Sequence, residues 1–304
     1  MADDLLASLV IAVLGGDRRE EEVIRVLASA GACVRTAGRE LAADPRPAEP
    51  HPSVNAALRS ADVLLAPLPS LGGDGRVWSA LAAAPIYLLP ADIEGMARGA
   101  RAIVGRANGC LRDLAAKGFL QLRELADDDE LAILNSIPTA EGAVQLAMQL
   151  SPVTLHGSTA AVLGMGRVGL TLARLLVAIG CHTLAFAEER AARARSLTLG
   201  CEVASLDEIG RIAGRLDFLF NTIPAPVVSR ETLAGLPEHA VVIDLASAPG
   251  GVDLAASREL GKTAVLAPGL PGKVAPVTAG RLLAQVVRDD LLNWSGKGRG
   301  GRCL

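Results

Sequence analysis

A glycine-rich segment between a predicted strand and a predicted helix carries the clearest chemical signal in the chain. Residues 160–163 are apolar, GMGRVG follows at 164–169, and residues 170–178 are typical of a helix. In G-x-G-x-x-G the first glycine allows a tight turn, the second lets the backbone approach a pyrophosphate at the helix N-terminus, and the third lets helix and strand pack closely. We therefore predict a dinucleotide site formed by Gly164, Met165, Gly166, Arg167, Val168 and Gly169.

The turn after the next predicted strand bears on the choice between NAD and NADP. Glu188 lies about 20 residues past the glycines, where an acidic side chain binds the ribose 2′-hydroxyl of NAD. Arg190 and Arg193 follow at once, and either guanidinium could instead hold the 2′-phosphate of NADP. These residues leave both cofactors open.

Three loops that follow later predicted strands, at residues 221–224, 244–251 and 267–276, each contain proline. In a doubly wound sheet the carboxyl ends of the strands face the ligand, so these loops should line the nicotinamide end of the site. Lys273 is one of four lysines and is a candidate for binding a substrate anion, the alternative being a solvated loop lysine. The residues predicted to bind the cofactor here are Asn221, Thr222, Ile223, Pro224, Leu245, Ala246, Pro268 and Gly269.

A second glycine-rich turn, LGGDRRE at residues 14–20, follows the first predicted strand. Asp17 could simply cap a helix over residues 20–30. Alternatively, the backbone amides at that helix N-terminus, with Arg18 or Arg19, could hold a carboxylate. The glycine spacing differs from G-x-G-x-x-G, so we expect no second dinucleotide at this turn.

Short apolar runs that alternate with longer helical patterns must position these residues. Such alternation predicts βαβ units and parallel sheets, here two Rossmann-like doubly wound α/β domains facing each other across a cleft. Pro138, with Ser136 or Thr139 as a cap, predicts a helix start between two groups of strands. We therefore expect a substrate domain at 1–150 and an NAD(P)-binding domain at 151–304 with a C-terminal helix at 278–294 and a flexible tail from 295. The predicted strands are residues 9–14, 63–67, 86–89, 159–163, 183–186, 218–221, 241–245 and 263–266.

Composition excludes several classes of function. The 304 residues include only 2% aromatic side chains, and the net charge is −3, so the chain lacks the stacking platforms and basic surface of a nucleic-acid binder. No apolar run reaches the roughly 20 residues of a membrane span. Five cysteines without a CxxC pair predict free thiols in the cytoplasm and no metal site.

Six blocks of sequence, in this order, resemble the family of dipicolinate synthase A subunits over residues 11–283. They are GGDRR at 15–19, LNSIPTAEG at 134–142, VLGMGRVG at 162–169, FNTIP at 220–224, DLASAPGG at 244–251 and APGLPGKVAPVTAG at 267–280. The resemblance implies a cytoplasmic protein of sporulating bacteria that works with a flavoprotein-like B subunit. Together they would convert dihydrodipicolinate, from the lysine pathway, to pyridine-2,6-dicarboxylate. It also implies two Rossmann-type domains with a nicotinamide dinucleotide on the second, usually taken as NADP, although Glu188 and Glu189 depart from an NADP pattern.

The implied substrate is a small dicarboxylate that loses one hydride and one proton as its ring becomes aromatic. One carboxylate is expected to bind Arg19 and the amides of Gly15 and Gly16. The other end is expected to bind Ser136, Thr139 and Lys273. Because aromatic residues are few, we expect anion contacts and backbone loops, rather than an aromatic sandwich, to hold the ring.

Glu141 or Asp244 would accept the proton, although Glu141 could equally cap a helix, and with Lys273 they form the predicted catalytic set. Two other interpretations stay open. The chain could be a non-catalytic partner that binds dinucleotide and substrate for the B subunit, or a generic 2-hydroxy-acid or amino-acid dehydrogenase. The second is weakened because no histidine lies at a strand end of the second half, where such an enzyme places its acid/base group. We also expect a homo-oligomer.

Overall fold

The computed structural model describes residues 6–69 and 71–298, with the backbone alone for 295–298. The chain divides into two units: an N-terminal unit of the described residues up to Ala132 and from Pro276 onward, and a C-terminal unit of residues 133–275. Each unit contains a parallel sheet of six strands. The predicted α/β class with two doubly wound parallel sheets is confirmed.

The N-terminal sheet has the strand order β3-β2-β1-β4-β7-β8, and β5 and β6 form a separate antiparallel hairpin. The order changes direction between β1 and β4, which is where open α/β sheets place their ligands. The strands are β1 (Val10–Leu14), β2 (Cys33–Ala37), β3 (Glu49–Pro50), β4 (Val63–Leu65), β5 (Arg76–Val77), β6 (Ile86–Tyr87), β7 (Ala100–Val104) and β8 (Leu120–Glu124). The helices before residue 129 are α1 (Arg18–Ser29), α2 (Val54–Leu58), α3 (Pro90–Glu94) and α4 (Gly109–Ala116), with a 3₁₀ turn at Leu125–Asp127.

The C-terminal sheet repeats this arrangement with the order β11-β10-β9-β12-β13-β14. Its central strands are fully buried, and Phe186, Phe218 and Phe220 supply the largest side chains of its core. The elements are α5 (Asp129–Leu150), β9 (Thr159–Leu163), α6 (Arg167–Ile179), β10 (His182–Phe186), α7 (Arg190–Thr198), β11 (Glu202–Ala204), α8 (Ile209–Ile212), β12 (Phe218–Asn221), α9 (Arg230–Gly235), β13 (Val241–Asp244), α10 (Leu254–Glu259), β14 (Thr263–Leu266) and α11 (Leu270–Val274), with 3₁₀ turns at Leu206–Glu208 and Ala213–Arg215.

Helix α5 corrects the predicted domain boundary. It runs unbroken through Pro138, so Pro138 does not start a helix, and the division between the units falls within α5, after Ala132. Ser136 and Thr139 do not act as caps, because their hydroxyls donate to the carbonyls of Ile133 (2.6 Å) and Asn135 (2.7 Å) in the preceding turn. Such back-bonding is how a serine or threonine is accommodated inside a helix, and it often accompanies a bend.

A last helix, α12 (Pro276–Gly298), belongs to the N-terminal unit rather than to the predicted domain 151–304. Leu283 and Val287 share one buried cluster with Val23 and Leu27 of α1. A Cβ atom at Gly280 would lie 2.6 Å from the Arg19 carbonyl oxygen, so glycine permits the close crossing of α12 and α1. The predicted flexible tail begins inside this helix, and its part after Gly298 lies outside the described residues.

The thiols of Cys33, Cys110, Cys181 and Cys201 are free, as predicted, and Cys303 lies outside the described residues. Between residues 6 and 298, Ser70 apart, no three or more His, Cys, Asp or Glu side chains form a group that could hold a metal ion. No helix within those same ranges is both long enough and apolar enough to cross a membrane.

Candidate functional site

The predicted dinucleotide turn lies where the C-terminal sheet changes direction. Strands β9 and β12 are paired neighbours, and residues 164–169 follow the carboxyl end of β9. Helix α6 begins at Arg167, and its N-cap, Gly166, offers no side-chain cap to the first-turn amides. The amides therefore remain available to an anion, which the positive end of the helix dipole favours.

Each of the three glycines has a different steric role in the turn. Gly164 has φ +85°, and a Cβ atom there would lie 2.6 Å from Thr222 Oγ1. A Cβ atom at Gly169 would lie 1.9 Å from the Gly164 carbonyl oxygen, so this glycine is required for the close packing of α6 on β9. A Cβ atom at Gly166 would meet nothing within 4 Å, so the space above it is open. Two glycines thus shape the turn, and the third leaves room for a pyrophosphate.

The neighbouring strand end holds the turn in place. The Thr222 hydroxyl lies within hydrogen-bond distance of the carbonyl oxygens of Leu163 (2.9 Å) and Gly164 (3.0 Å). Ile223 lies beside Gly164, while Pro224 is exposed. The structure therefore gives Thr222 a positioning role beneath the predicted pyrophosphate site.

The fully buried Asp244 and Asn221 belong to one hydrogen-bond network. Asp244 Oδ1 accepts from Asn221 Nδ2 (2.8 Å) and the Ala246 amide (3.1 Å), and Oδ2 accepts from the amides of Gly251 (2.7 Å) and Val252 (3.1 Å). Four donors occupy the Asp244 carboxylate and solvent does not reach it, so this geometry does not support its role as the proton acceptor, which stays a prediction. The Asn221 side-chain amide is bonded to Asp244 and to the backbone of Ile223, and the contact of Asn221 with the cofactor stays a prediction.

The side chain predicted to distinguish NAD from NADP lies at the surface of the C-terminal unit. Glu188 lies two residues past β10, is exposed, and accepts a hydrogen bond from the Leu206 amide (3.2 Å). Arg190 is exposed at the first position of α7. Arg193 donates its Nε hydrogen to the Ala187 carbonyl, so part of its guanidinium is already engaged.

The remaining predicted cofactor residues of this unit differ in exposure. Met165 is buried in the core, and Arg167 and Val168 form the start of α6. The Leu245 amide donates to the Asn221 carbonyl (2.7 Å), and Ala246 is buried beside it. The exposed positions are Pro268, Gly269 and Lys273.

The three predicted site residues on α5 differ in their exposure to solvent. Ser136 is 1% exposed and its hydroxyl also bonds Thr171 Oγ1 (2.6 Å), so its role as a substrate ligand gains no support from this geometry and stays a prediction. Thr139 is half-buried, with its hydroxyl donated to Asn135. Glu141 is exposed in the middle of α5, so the alternative that it caps a helix is excluded.

The second glycine-rich turn, after β1, is closed in the N-terminal unit. The Gly15 amide donates to the Ala37 carbonyl (2.9 Å) and the Gly16 amide to the Trp78 carbonyl (3.0 Å). Asp17 caps α1, and its carboxylate also pairs with Arg19, whose Nε lies 3.0 Å from Oδ1 and which is 6% exposed. Other groups of the chain thus already accept from the amides of Gly15 and Gly16 and from Nε and Nη2 of Arg19, and the substrate role of these three residues stays a prediction.

Sequence reasoning missed two buried charged residues beside this turn. Burial raises the pKa of Glu20 to about 7, and its Oε1 has no hydrogen-bond partner within the described part of the chain. Arg39 Nη1 donates to the carbonyls of Gly15 (2.6 Å) and Asp17 (3.1 Å), and burial lowers its pKa. The D-x-x-E spacing from Asp17 to Glu20 is a capping-box signal that could have revealed Glu20, whereas no local pattern points to Arg39.

Comparison with known proteins covers both units. Residues 10–126 match the N-terminal domain of the dipicolinate synthase A subunit, and residues 136–255 match the NAD binding domain of D-isomer specific 2-hydroxyacid dehydrogenases. The chain is 34% identical over 284 residues to the dipicolinate synthase A subunit of Bacillus subtilis (strain 168), which covers 93% of this chain and 96% of that protein. The chain belongs to the family of dipicolinate synthase A subunits.

Solved structures of two dipicolinate synthase A subunits support this placement. That from Bacillus halodurans superposes with a TM-score of 0.86 at 36% identity, covering 92% of this chain and 97% of that one. That from Bacillus subtilis gives 0.85 at 33% identity, covering 95% and 97%. The match of residues 136–255 adds that the C-terminal unit of this family member is a dehydrogenase-type NAD-binding domain.

Proposed function

We propose that this chain is a nicotinamide-dependent oxidoreductase subunit that converts dihydrodipicolinate to dipicolinate together with a flavoprotein-like B subunit. The observation that carries the proposal is the open Gly166 cradle at the direction change of the C-terminal sheet, in a chain 34% identical over 93% of its length to a dipicolinate synthase A subunit. The cradle supports a dinucleotide site, and the family relationship supports dihydrodipicolinate as the substrate.

The residues present fit a dinucleotide. The uncapped amides at the start of α6 would bind its pyrophosphate, with Gly166 allowing the approach and Thr222 fixing the turn. When bound, an oxidised nicotinamide ring supplies the acceptor for the hydride that leaves the substrate ring. The chain must then orient the ring, bind its carboxylates and take one proton.

Glu141 and Lys273 support those remaining tasks in the proposal. Both are exposed, and the structure shows no hydrogen-bond or ion-pair partner for either among residues 6–69 and 71–294. A carboxylate can accept the proton released when the ring becomes aromatic, and an ammonium can bind a substrate carboxylate. Because Asp244 is fully occupied, Glu141 is the remaining member of the predicted pair of proton acceptors.

We further propose that the cofactor is NAD. The Glu188 carboxylate would accept from a ribose 2′-hydroxyl but would repel a 2′-phosphate. The partial engagement of Arg193 with Ala187 leaves fewer donors for such a phosphate. This preference is checked by comparing the affinities of the two dinucleotides.

The test uses the purified full chain, with and without the B subunit, supplied with fresh dihydrodipicolinate and either dinucleotide. Reduced nicotinamide and the pyridine product are followed by their separate ultraviolet absorbances. Equal formation of both products supports the proposal. Pyridine dicarboxylate formed without reduced nicotinamide would overturn hydride transfer to the dinucleotide.

A second candidate function is a non-catalytic partner that binds dinucleotide and substrate while the B subunit performs the redox step. The engagement of Asp244 favours it, since it leaves Glu141 as the single remaining member of the predicted proton-acceptor pair. In the same assay, a chain that is inert alone and forms no reduced nicotinamide, yet is required by the B subunit, would support this candidate.

A further inference from the structure

The β5–β6 hairpin is what closes the glycine turn of the N-terminal unit. Besides the bond from Gly16 to Trp78, Ser79 Oγ donates to the Gly38 carbonyl (2.9 Å), and the Ala80 amide donates to the Gly16 carbonyl (2.9 Å). These bonds fix residues 78–80 at the carboxyl end of β1. In a doubly wound sheet that end, next to the change of strand direction, is where a ligand is expected.

A cavity of about 550 Å³ opens beside this hairpin, within the size range of small-molecule sites. Its lining combines small and aliphatic residues, Ile86 among them, with one aromatic side chain, Trp78, and one charged side chain, Arg76. Trp78 is 39% exposed, and its backbone carbonyl accepts from the Gly16 amide, so the residue is held at the turn and is still accessible to solvent. Trp78 is one of only two tryptophans in the chain.

Arg76 provides a cation at the same cavity. Its side chain is exposed, and its guanidinium has no hydrogen-bond or ion-pair partner within residues 6–69 and 71–294. The nearby Asp74 carboxylate accepts from the Arg76 backbone amide (3.0 Å). The guanidinium is therefore free to form the two parallel hydrogen bonds that arginine makes with a carboxylate.

We propose that this cavity is a substrate subsite in which Trp78 supports one face of a planar ring and Arg76 binds a carboxylate of that ring. The inference rests on the proposed function for the identity of its ligand, a pyridine-type dicarboxylate. A dinucleotide is a poor candidate, because the Gly15 and Gly16 amides that would cradle its pyrophosphate are already bonded. A single supporting ring also fits a chain in which only 2% of the residues are aromatic.

Binding is tested with pyridine-2,6-dicarboxylate, the stable product, added to the full chain carrying Trp294→Phe. Trp78 is then the sole tryptophan, and we expect saturable quenching of its fluorescence. By calorimetry, Arg76→Gln should weaken binding at least about tenfold, as expected for the loss of one charge-assisted pair. Arg98→Gln is the matched control, since Arg98 is an exposed arginine of the same unit away from the cavity, and it should leave binding unchanged.

Trp78→Phe and Trp78→Ala separate ring stacking from a general disturbance of the hairpin. Phenylalanine should keep most of the affinity for pyridine-2,6-dicarboxylate, and alanine should lose it. Equal affinity for wild type, Arg76→Gln and Arg98→Gln would overturn the subsite, as would the absence of quenching in Trp294→Phe.

Turnover distinguishes this inference from the proposed function. If Arg76→Gln oxidises dihydrodipicolinate with unchanged KM, the subsite is wrong and the function stands. If dicarboxylate binding depends on Arg76 and Trp78 as expected but neither dinucleotide is reduced, the subsite stands and the redox function is wrong.

Discussion

Asp244→Asn tests whether Asp244 organises the loop at 246–252 or accepts a proton in the reaction. The substitution preserves the shape of the side chain but replaces one oxygen with an NH₂ group. Two donors face each oxygen, Asn221 Nδ2 and the Ala246 amide on one side and the amides of Gly251 and Val252 on the other. Whichever way the new side-chain amide is oriented, its NH₂ group faces two hydrogen-bond donors, and both lose their acceptor.

The expected loss of stability follows from the two donors that lose their acceptor. Each buried donor left without an acceptor costs about 1–3 kcal/mol, so two donors cost about 2–6 kcal/mol. A whole domain is stable by only about 5–15 kcal/mol. At about 2–4 °C for each kcal/mol, the thermal midpoint of the C-terminal unit should fall by on the order of 10 °C.

The assay is thermal unfolding followed by circular dichroism, with turnover measured on the same samples. Asp253→Asn is the control, because Asp253 caps α10 by accepting from the Ala256 amide (2.8 Å) and asparagine caps a helix as well as aspartate. Its midpoint should not move. An Asp244→Asn protein with the wild-type midpoint and no activity would refute the structural role and restore Asp244 as a proton acceptor.

Four further substitutions test the turns and their charges. Gly169→Ala should lower the thermal midpoint, because its Cβ atom would lie 1.9 Å from a carbonyl oxygen. Gly166→Ala should fold normally, because its Cβ atom would meet nothing within 4 Å, but it should lose dinucleotide affinity in calorimetry. Normal affinity in Gly166→Ala would contradict the cradle. Burial raises the pKa of Glu20 from 4.5 to about 7, so its protonated form stabilises the fold below pH 4.5 and this contribution is lost as pH rises through 7. Between pH 4.5 and 8, the free energy of unfolding of the wild type, measured in urea, should fall by up to about 3 kcal/mol relative to that of Glu20→Gln, at 1.36 kcal/mol per pKa unit. If the free energies of the two proteins change in parallel with pH, the pKa shift is excluded. Glu188→Ser should raise the affinity for NADP relative to NAD, and an unchanged ratio in a binding titration would show that Glu188 does not select the cofactor.

The dinucleotide turn could be predicted because each of its requirements is local. The reasons for Gly164, Gly166 and Gly169 lie in the strand and helix that flank them, and the alternation of apolar runs with helical patterns is enough to predict parallel sheets. Strands β2, β7 and β8 were missed because Cys, Thr, Gln and Arg interrupt their apolar pattern. Of the predicted strand 86–89, only Ile86–Tyr87 is a strand, and it lies in the hairpin rather than in the main sheet.

The polar groups of the candidate site could not be predicted from spacing, because their partners are set by distant contacts. Gly16 looks like an open anion-binding turn until Trp78, 62 residues later, is seen to accept its amide hydrogen. Asp244 stands at the carboxyl end of a strand, as a catalytic acid would, yet the backbone of its own loop turns back onto it. Hydrogen-bonding groups at the ends of strands bind either a ligand or other groups of the chain, and only the tertiary structure shows which groups of the chain are in reach.

The packing of α12 on α1 also has a consequence for synthesis on the ribosome. Residues 133–275 are one uninterrupted stretch, whereas the N-terminal unit needs residues from both sides of it. All of the C-terminal unit has therefore been translated before α12 emerges, and until then the apolar side of α1, including Val23 and Leu27, has no cover from Leu283 and Val287. The unit that is translated first is thus the last to be completed, and the nascent chain carries an exposed apolar surface of the kind that chaperones protect.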